Sequence, residues 1–363
     1  MNLAQGNKQK SGGGMATNDP ILLLTGVTGF IGFHVAQSLA SSRSYQILAI
    51  VRRNSHPEKL KILRNEGVQP VQGYFGDPKL LDRVFKDNRI NYVAHLAALR
   101  GAGSGRDEDF TRVNVLGTES LLDCSLKHGV QKFIHCSSVG VHGTVPQELP
   151  ARISSPFVGD NAYHASKIAA EQRVQEYICK GLNANIIRPT IVYGWGDNGF
   201  SRKLVALVRK RLLPVHNNLI HLLNVNKFAE LLKLVLEDSG RQRVFIAADE
   251  KPIYLKELAD LIHQHYYKSP YPSWLKLPER AISALDGIFR FCGNKRWLTS
   301  FSLIYKSWFY DMSDAVRELG YVPANTKETF ISSMCNPVNY AVSLTEQSRG
   351  AKDVNRITMD NLF

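Results

Sequence analysis

The chain has 363 residues with 44% hydrophobic and 21% charged side chains, an ordinary globular composition with room for about two lobes, and a formal charge of +13 from 45 Lys+Arg against 32 Asp+Glu. The basic residues are dispersed apart from Arg202, Lys203, Arg209, Lys210 and Arg211, which read as a solvated helix face with no interleaved aromatic groove, so nucleic acid is excluded as a partner. Five cysteines, Cys124, Cys136, Cys179, Cys292 and Cys335, are odd in number and lack any Cys-x-x-Cys pair, which excludes a disulfide framework and a zinc site, predicts no bound metal, and fits a reducing, cytoplasmic setting.

In chain order, residues 1–18 are polar and glycine-rich and are expected to be a disordered leader rather than a signal peptide or anchor. No run of about 18 apolar residues occurs, so no transmembrane span is expected. Strands are predicted at Ile21–Thr25, Gln46–Val51, Pro70–Tyr74, Tyr92–Leu96, Lys132–Ser137, Asn185–Arg188 and Arg243–Ala247, alternating with helical patterns. That alternation predicts an α/β fold, a doubly wound parallel sheet of about seven strands with a ligand over its carboxyl ends. From Trp195 onward the regularity fades and aromatic residues gather at Tyr266-Tyr267, Tyr271, Trp274, Trp297 and Trp308-Phe309-Tyr310, as suits a smaller, mostly helical substrate lobe. Residues 228–237 read as a helix returning to the first lobe. The expected division is therefore 19–193 plus 219–248 for the nucleotide lobe and 194–218 plus 249–345 for the substrate lobe, with a loose tail over 346–363. The segment 274–292 has an amphipathic pattern that allows peripheral membrane contact.

Two motifs carry chemistry. After the first strand comes Thr25-Gly26-Val27-Thr28-Gly29-Phe30-Ile31-Gly32, in which Gly26 takes a turn with positive φ, Gly29 admits a pyrophosphate and Gly32 lets the next helix approach the strand. Far downstream, Tyr163 and Lys167 stand four apart on one helix face, where an ammonium lowers the pKa of a neighbouring phenol. Ser138, leaving a strand end, would hold a carbonyl oxygen in reach of Tyr163. His164 would point to a different helix face and reads as structural, His135 and Cys136 as packing groups, and His95 and His142 as candidates for the cleft. The second strand ends in Arg52-Arg53 where a carboxylate would favour NAD; guanidinium groups there favour the 2′-phosphate of NADP(H), with NAD(H) as the alternative.

Taken together, the glycine turn, Gly76-Asp77, His95-Leu96-Ala97-Ala98, Asn114 through Thr118, Ser138, Tyr163/Lys167 and the run Arg188 through Gly194 resemble the extended short-chain dehydrogenases/reductases over roughly 21–330. The resemblance implies cofactor contacts from Gly26, Thr28, Gly29, Phe30, Ile31, Gly32, Arg52, Arg53, Asp77 (at the adenine amino group), Leu96, Ala97, Ala98, Asn114, Ser137, Tyr163, Lys167 (at the nicotinamide ribose) and Pro189, and catalysis by Ser138, Tyr163 and Lys167. No acidic residue follows Ser138, which disfavours dehydration. Pro189-Thr190 and Asn224 through Lys227 depart from the sugar-nucleotide epimerase pattern. The chain looks more like the dihydroflavonol reductase and hydroxysteroid dehydrogenase branches, implying an NADP-dependent exchange of ketone and secondary alcohol on a bulky small molecule; a nucleotide-sugar 4-epimerase is the alternative. Family members pair through two helices, here 110–129 and 163–180, implying a homodimer.

Overall fold

The computed structural model describes residues 19–100, 106–272, 280, 284, 287–288 and 295–335. The expected leader and tail, and most of the amphipathic segment 274–292, lie outside the described residues. Seven strands make one sheet: β1 (Ile21–Thr25), β2 (Gln46–Val51), β3 (Gln69–Gln72), β4 (Ile90–His95), β5 (Lys132–Cys136), β6 (Ala184–Pro189) and β7 (Val244–Ala247). Their spatial order is β3-β2-β1-β4-β5-β6-β7 and every adjacent pair is parallel. Each strand lies within two residues of its expected bounds; the inner strands are covered on both faces and largely apolar, so their ends show in the sequence, whereas the edge strand β3 carries a glutamine at each end.

Alternate residues build two cores. Leu22, Leu24, Ala49, Ile134 and Phe245 pack with helices α1 (Phe30–Ser42), α2 (Pro57–Asn65) and, further along, the expected returning helix Val225–Glu237. Leu23, Leu48, Val93, Phe133 and Ile186 pack on the other face with α3 (Pro78–Asp87), α4 (Gly117–Lys127) and α5 (Ala162–Cys179). The apolar stripes of α4 and α5, through Leu121, Leu122, Val174 and Tyr177, face this sheet.

A third core, with Tyr193, Val208, Ile220, Ile262, Tyr271, Trp308 and Phe330, fills the lobe beyond the carboxyl ends of β5 and β6. Its sheets are fragments: Ile191–Tyr193 pairs with Leu222–Asn224, Leu219–Ile220 with Ile253–Tyr254, and single bridges join Ala151 to Tyr310 and Ile220 to Trp308. Fully buried Asp249 ties them, accepting from Tyr193 Oη (2.8 Å), Thr326 Oγ1 (2.6 Å) and Asn224 N (2.8 Å). Burial pushes its carboxyl up to about 6 against those donors. Among the described residues, no helix is long and apolar enough to cross a membrane and no group of three His, Cys, Asp or Glu could hold a metal.

Candidate active site

The glycine turn closes as its residue types require. Gly26 has φ +80, and its carbonyl accepts from Gly29 N at 3.0 Å. A Cβ on Gly32 would sit 2.2 Å from that carbonyl oxygen, so only glycine lets α1 start this close to β1. Gly29 is the N-cap of α1; with no side-chain cap and no acidic residue in the first turn, the leading amides are left for an anion. The loop after β2 folds over this turn: Ser55 Oγ lies 3.4 Å from Thr28 Oγ1 and Lys59 Nζ donates to Thr28 O at 3.2 Å, while Arg52 and Arg53 stand exposed beside them. Lys59 thus adds a cation to the two arginines, and nothing in its local sequence announces that placement. Asp77 is exposed and caps α3, accepting from Lys79 N at 3.0 Å.

Beneath the carboxyl end of β4 runs a scaffold of buried polar groups. His95 does not line the cleft: it is 1% exposed, with Nδ1 2.7 Å from Thr25 Oγ1 and Nε2 2.9 Å from Thr118 Oγ1, and burial, aided by the Lys167 charge, pushes its pKa down to about 3. Thr25 Oγ1 also accepts from Ala97 N at 3.2 Å, which fixes the segment Leu96-Ala97-Ala98. Asn114 sits in a π-helical turn (Thr111–Leu116), where its amide accepts from Leu99 N (2.7 Å) and donates to Leu99 O and to Ser166 Oγ (both 2.9 Å). Its side chain therefore clamps the loop after β4 to the helix that carries Tyr163.

Ser138 caps the 3-10 turn Val139–His142, its Oγ accepting from Gly140 N at 3.0 Å, and it lines the same cavity as the Tyr163 phenol. Phe110 meets Tyr163 edge to face, with ring centres 6.4 Å apart. Lys167 behaves differently from the expectation that its ammonium lowers the phenol pKa. It is 2% exposed and its Nζ donates to Cys136 O at 2.7 Å, anchoring the end of β5 from which Ser137 and Ser138 issue. Burial raises the Tyr163 pKa, with the Cys136 thiol adding to the rise and the neighbouring Ser138 hydroxyl opposing it; burial likewise lowers that of Lys167. The helix is tied to β6 by a buried pair, Glu171 with Arg188 at 2.7 and 3.0 Å, and Arg188 also reaches His142 and Ile153 O. His142 is thereby a strut, not a cleft residue. His135 packs, buried in the sheet, as expected.

Ser138 and Tyr163 open into a cavity of about 180 Å³ walled by Val139, Gly140, Thr144, His164, Thr190, Ile191, Leu303, Trp308 and Tyr310 among others. His164 faces the same space as Tyr163, against the helical-face expectation. The cleft fits a dinucleotide on the structure's own terms: the uncapped start of α1, the room only glycine leaves, and the hydroxyl of Ser137 (3% exposed), buried with no partner among the described residues.

The model of the NAD dependent epimerase/dehydratase family matches residues 22–245. A UDP-glucose 4-epimerase of Azospirillum brasilense is 31% identical over 176 residues, 47% of this chain and 48% of that protein, so the match spans about half the length of that relative. A 4-hydroxy-2-methyl-3-oxo-4-farnesyl-3,4-dihydroquinoline-1-oxide ketoreductase of Stigmatella aurantiaca is 28% identical over 66% of this chain and 71% of that protein. The crystal structure of the Bordetella bronchiseptica enzyme WbmG in complex with NAD and UDP has the same fold, with a TM-score of 0.68 at 20% identity over 86% of this chain and 92% of that one.

Proposed function

Because the chain belongs to the NAD dependent epimerase/dehydratase family and is an enzyme of the NAD(P)-dependent short-chain dehydrogenase/reductase type, we propose that it interconverts a ketone and a secondary alcohol on a bulky, largely apolar small molecule, with NADP(H) as the favoured nucleotide. The observation that carries this reading is the placement of Ser138 and Tyr163 on one cavity whose described lining mixes aliphatic and aromatic groups with hydroxyls and His164 and holds no lysine or arginine. A substrate diphosphate brings at least two negative charges, and burying them calls for cationic forks that this wall lacks.

The turn from Gly26 to Gly32 would hold the pyrophosphate, Arg52, Arg53 and Lys59 a 2′-phosphate, and Leu96 to Ala98, Ser137, Lys167 and Pro189 the nicotinamide end. Once bound, the nicotinamide supplies or accepts the hydride at the carbonyl carbon. Ser138 donates to the carbonyl oxygen and fixes it against Tyr163. As the carbonyl electron pair moves onto that oxygen, the phenol proton passes to it. A raised pKa suits this order of events, since the phenol keeps its proton until an alkoxide is forming. Lys167 holds the strand end that sets where Ser138 stands.

NADPH oxidation with aryl and alicyclic ketones tests the reading. Tyr163→Phe is expected to lower turnover by about a thousandfold with cofactor affinity nearly intact; full activity in that variant overturns it. The epimerase likeness favours a second reading, nucleotide-sugar 4-epimerisation with recycled cofactor. Protein that retains nucleotide through purification, reduces no ketone and equilibrates a UDP-hexose with its 4-epimer would establish that one.

A further inference from the structure

We propose that His164 is a substrate-binding residue that selects ketones carrying a hydroxyl on the carbon next to the reacting carbonyl. The proposal rests on the redox reading of this cavity, and it starts from how firmly the ring is held. His164 Nδ1 lies 2.5 Å from Asp160 Oδ1, and Asp160 Oδ2 accepts from Thr144 N at 2.8 Å. The His164 backbone N–H donates at 2.9 Å to the side chain of Asn161, the N-cap of α5. Although burial raises it, bonds from His164 and Thr144 bring the Asp160 carboxyl down to about 2, so an anion faces Nδ1.

Nδ1 also lies 2.8 Å from Asn161 Nδ2, but that amide donates to Asp160 Oδ1 at 3.0 Å and the carboxylate is the nearer partner of the ring; with Nδ1–H directed at Asp160, Nε2 is left to accept. Among the described residues no hydrogen bond reaches it. It overhangs Gly140, where a Cβ would lie 2.6 Å from Nε2 and 3.2 Å from Ser138 Oγ. Glycine at 140 therefore leaves the imidazole its place, and one small volume is flanked by the hydroxyl that holds the reacting oxygen and by a free imidazole acceptor. An independent feature points to ligand oxygen in the same cavity: Thr190 Oγ1, buried and without a partner among the described residues, on its wall. An α-hydroxyketone fits this arrangement, its carbonyl at Ser138 and Tyr163 and its O–H donated to His164 Nε2. A ketone with an ethyl group in place of the hydroxymethyl leaves that acceptor buried and unsatisfied.

The test compares 2-hydroxyacetophenone with propiophenone, which differ by hydroxymethyl against ethyl. Both are titrated by calorimetry into protein loaded with NADP+, so the readout is affinity and not turnover. The wild type is expected to bind the hydroxyketone about tenfold more tightly than propiophenone. His164→Phe should bring the ratio to about one, and His164→Gln, which keeps an acceptor oxygen, should restore part of it; should Phe disturb the helix start, His164→Leu makes the same subtraction. A wild type without preference, or a variant lacking the imidazole that keeps the preference with normal circular dichroism and NADP+ affinity, overturns the proposal. A His164-dependent preference in a protein that reduces neither ketone upholds the subsite and overturns the redox reading instead.

Discussion

At the carboxyl end of β1 the site is made of backbone: a glycine turn, the bare start of α1 and carbonyls that lie too close for any Cβ. Across the cleft its wall is made of groups gathered from five stretches, Ser138 to Thr144, Tyr163-His164, Thr190-Ile191, Thr299 to Leu303 and Trp308 to Tyr310. A backbone cradle is fixed by local geometry and recognises what all dinucleotides share. A side-chain wall is fixed by long-range packing, and single substitutions can reshape it without disturbing the cradle. The nucleotide half should thus be brittle toward added atoms, and the lobe toward removed ones.

The largest expected effect sharpens that contrast from the lobe side. Trp308 is 1% exposed, donates from Nε1 to Leu303 O at 3.0 Å and meets Phe200 edge-on at 6.1 Å. Trp308→Ala should cost about 3–5 kcal/mol in denaturant unfolding while leaving dinucleotide affinity nearly unchanged at temperatures where the protein stays folded; a matching collapse of affinity would dissolve the division. On the other side, Gly32→Ala adds one methyl 2.2 Å from Gly26 O. A strain of about 1–3 kcal/mol should appear as dinucleotide affinity weakened by about tenfold to about a hundredfold in titrations. Replacing Arg52 and Arg53 together by Ala should remove about tenfold of preference for NADP over NAD, and an unchanged ratio would refute the charge argument.

Acid sensitivity separates the halves more gently. His95, under the nucleotide end, and His221, in the lobe, are both held below the ordinary 6.5 by burial, at about 3 and about 4. Unfolded histidine takes a proton first as pH falls, so their contribution is complete above 6.5 and is lost as pH drops toward those values. Asp249 works oppositely. Its folded pKa of about 6 exceeds the ordinary 3.8, so its contribution is present below 3.8 and is lost as pH rises through 6. Between about pH 4 and about pH 6 it offsets His221, whose Nε2 lies 2.8 Å from the Asp249 carbonyl. Denaturation across that range should show Asp249→Asn losing more stability than wild type as pH falls.

The same contrast decides what a reader of the chain could see. The sheet and the glycine turn announce themselves through short apolar stretches alternating with helical patterns and through spacing. The lobe's strands are two or three residues long, too short for any period to show, and their partners come from segments far away in sequence. Lys167 was legible as a site residue, but its bond to the Cys136 carbonyl depends on where β5 ends. His164 was misjudged because a helical wheel turns adjacent residues about 100° apart, whereas a cavity that wraps the first turn of a helix touches both. Asn114 was legible as a cofactor-side residue, yet its amide is engaged by the Leu99 loop and Ser166.

The wide turn at Thr111–Leu116 carries one surplus residue relative to an ordinary helix. Excising it would restore regular winding with the flanking turns still aligned, but Asn114 lies inside the wide turn, and its amide could no longer reach both Leu99 and Ser166, whose hydroxyl in turn bonds the Tyr163 carbonyl. Along this stretch, then, the number of residues governs the chemistry more strictly than their identity does, and a one-codon deletion there should be more damaging than most missense changes beside it.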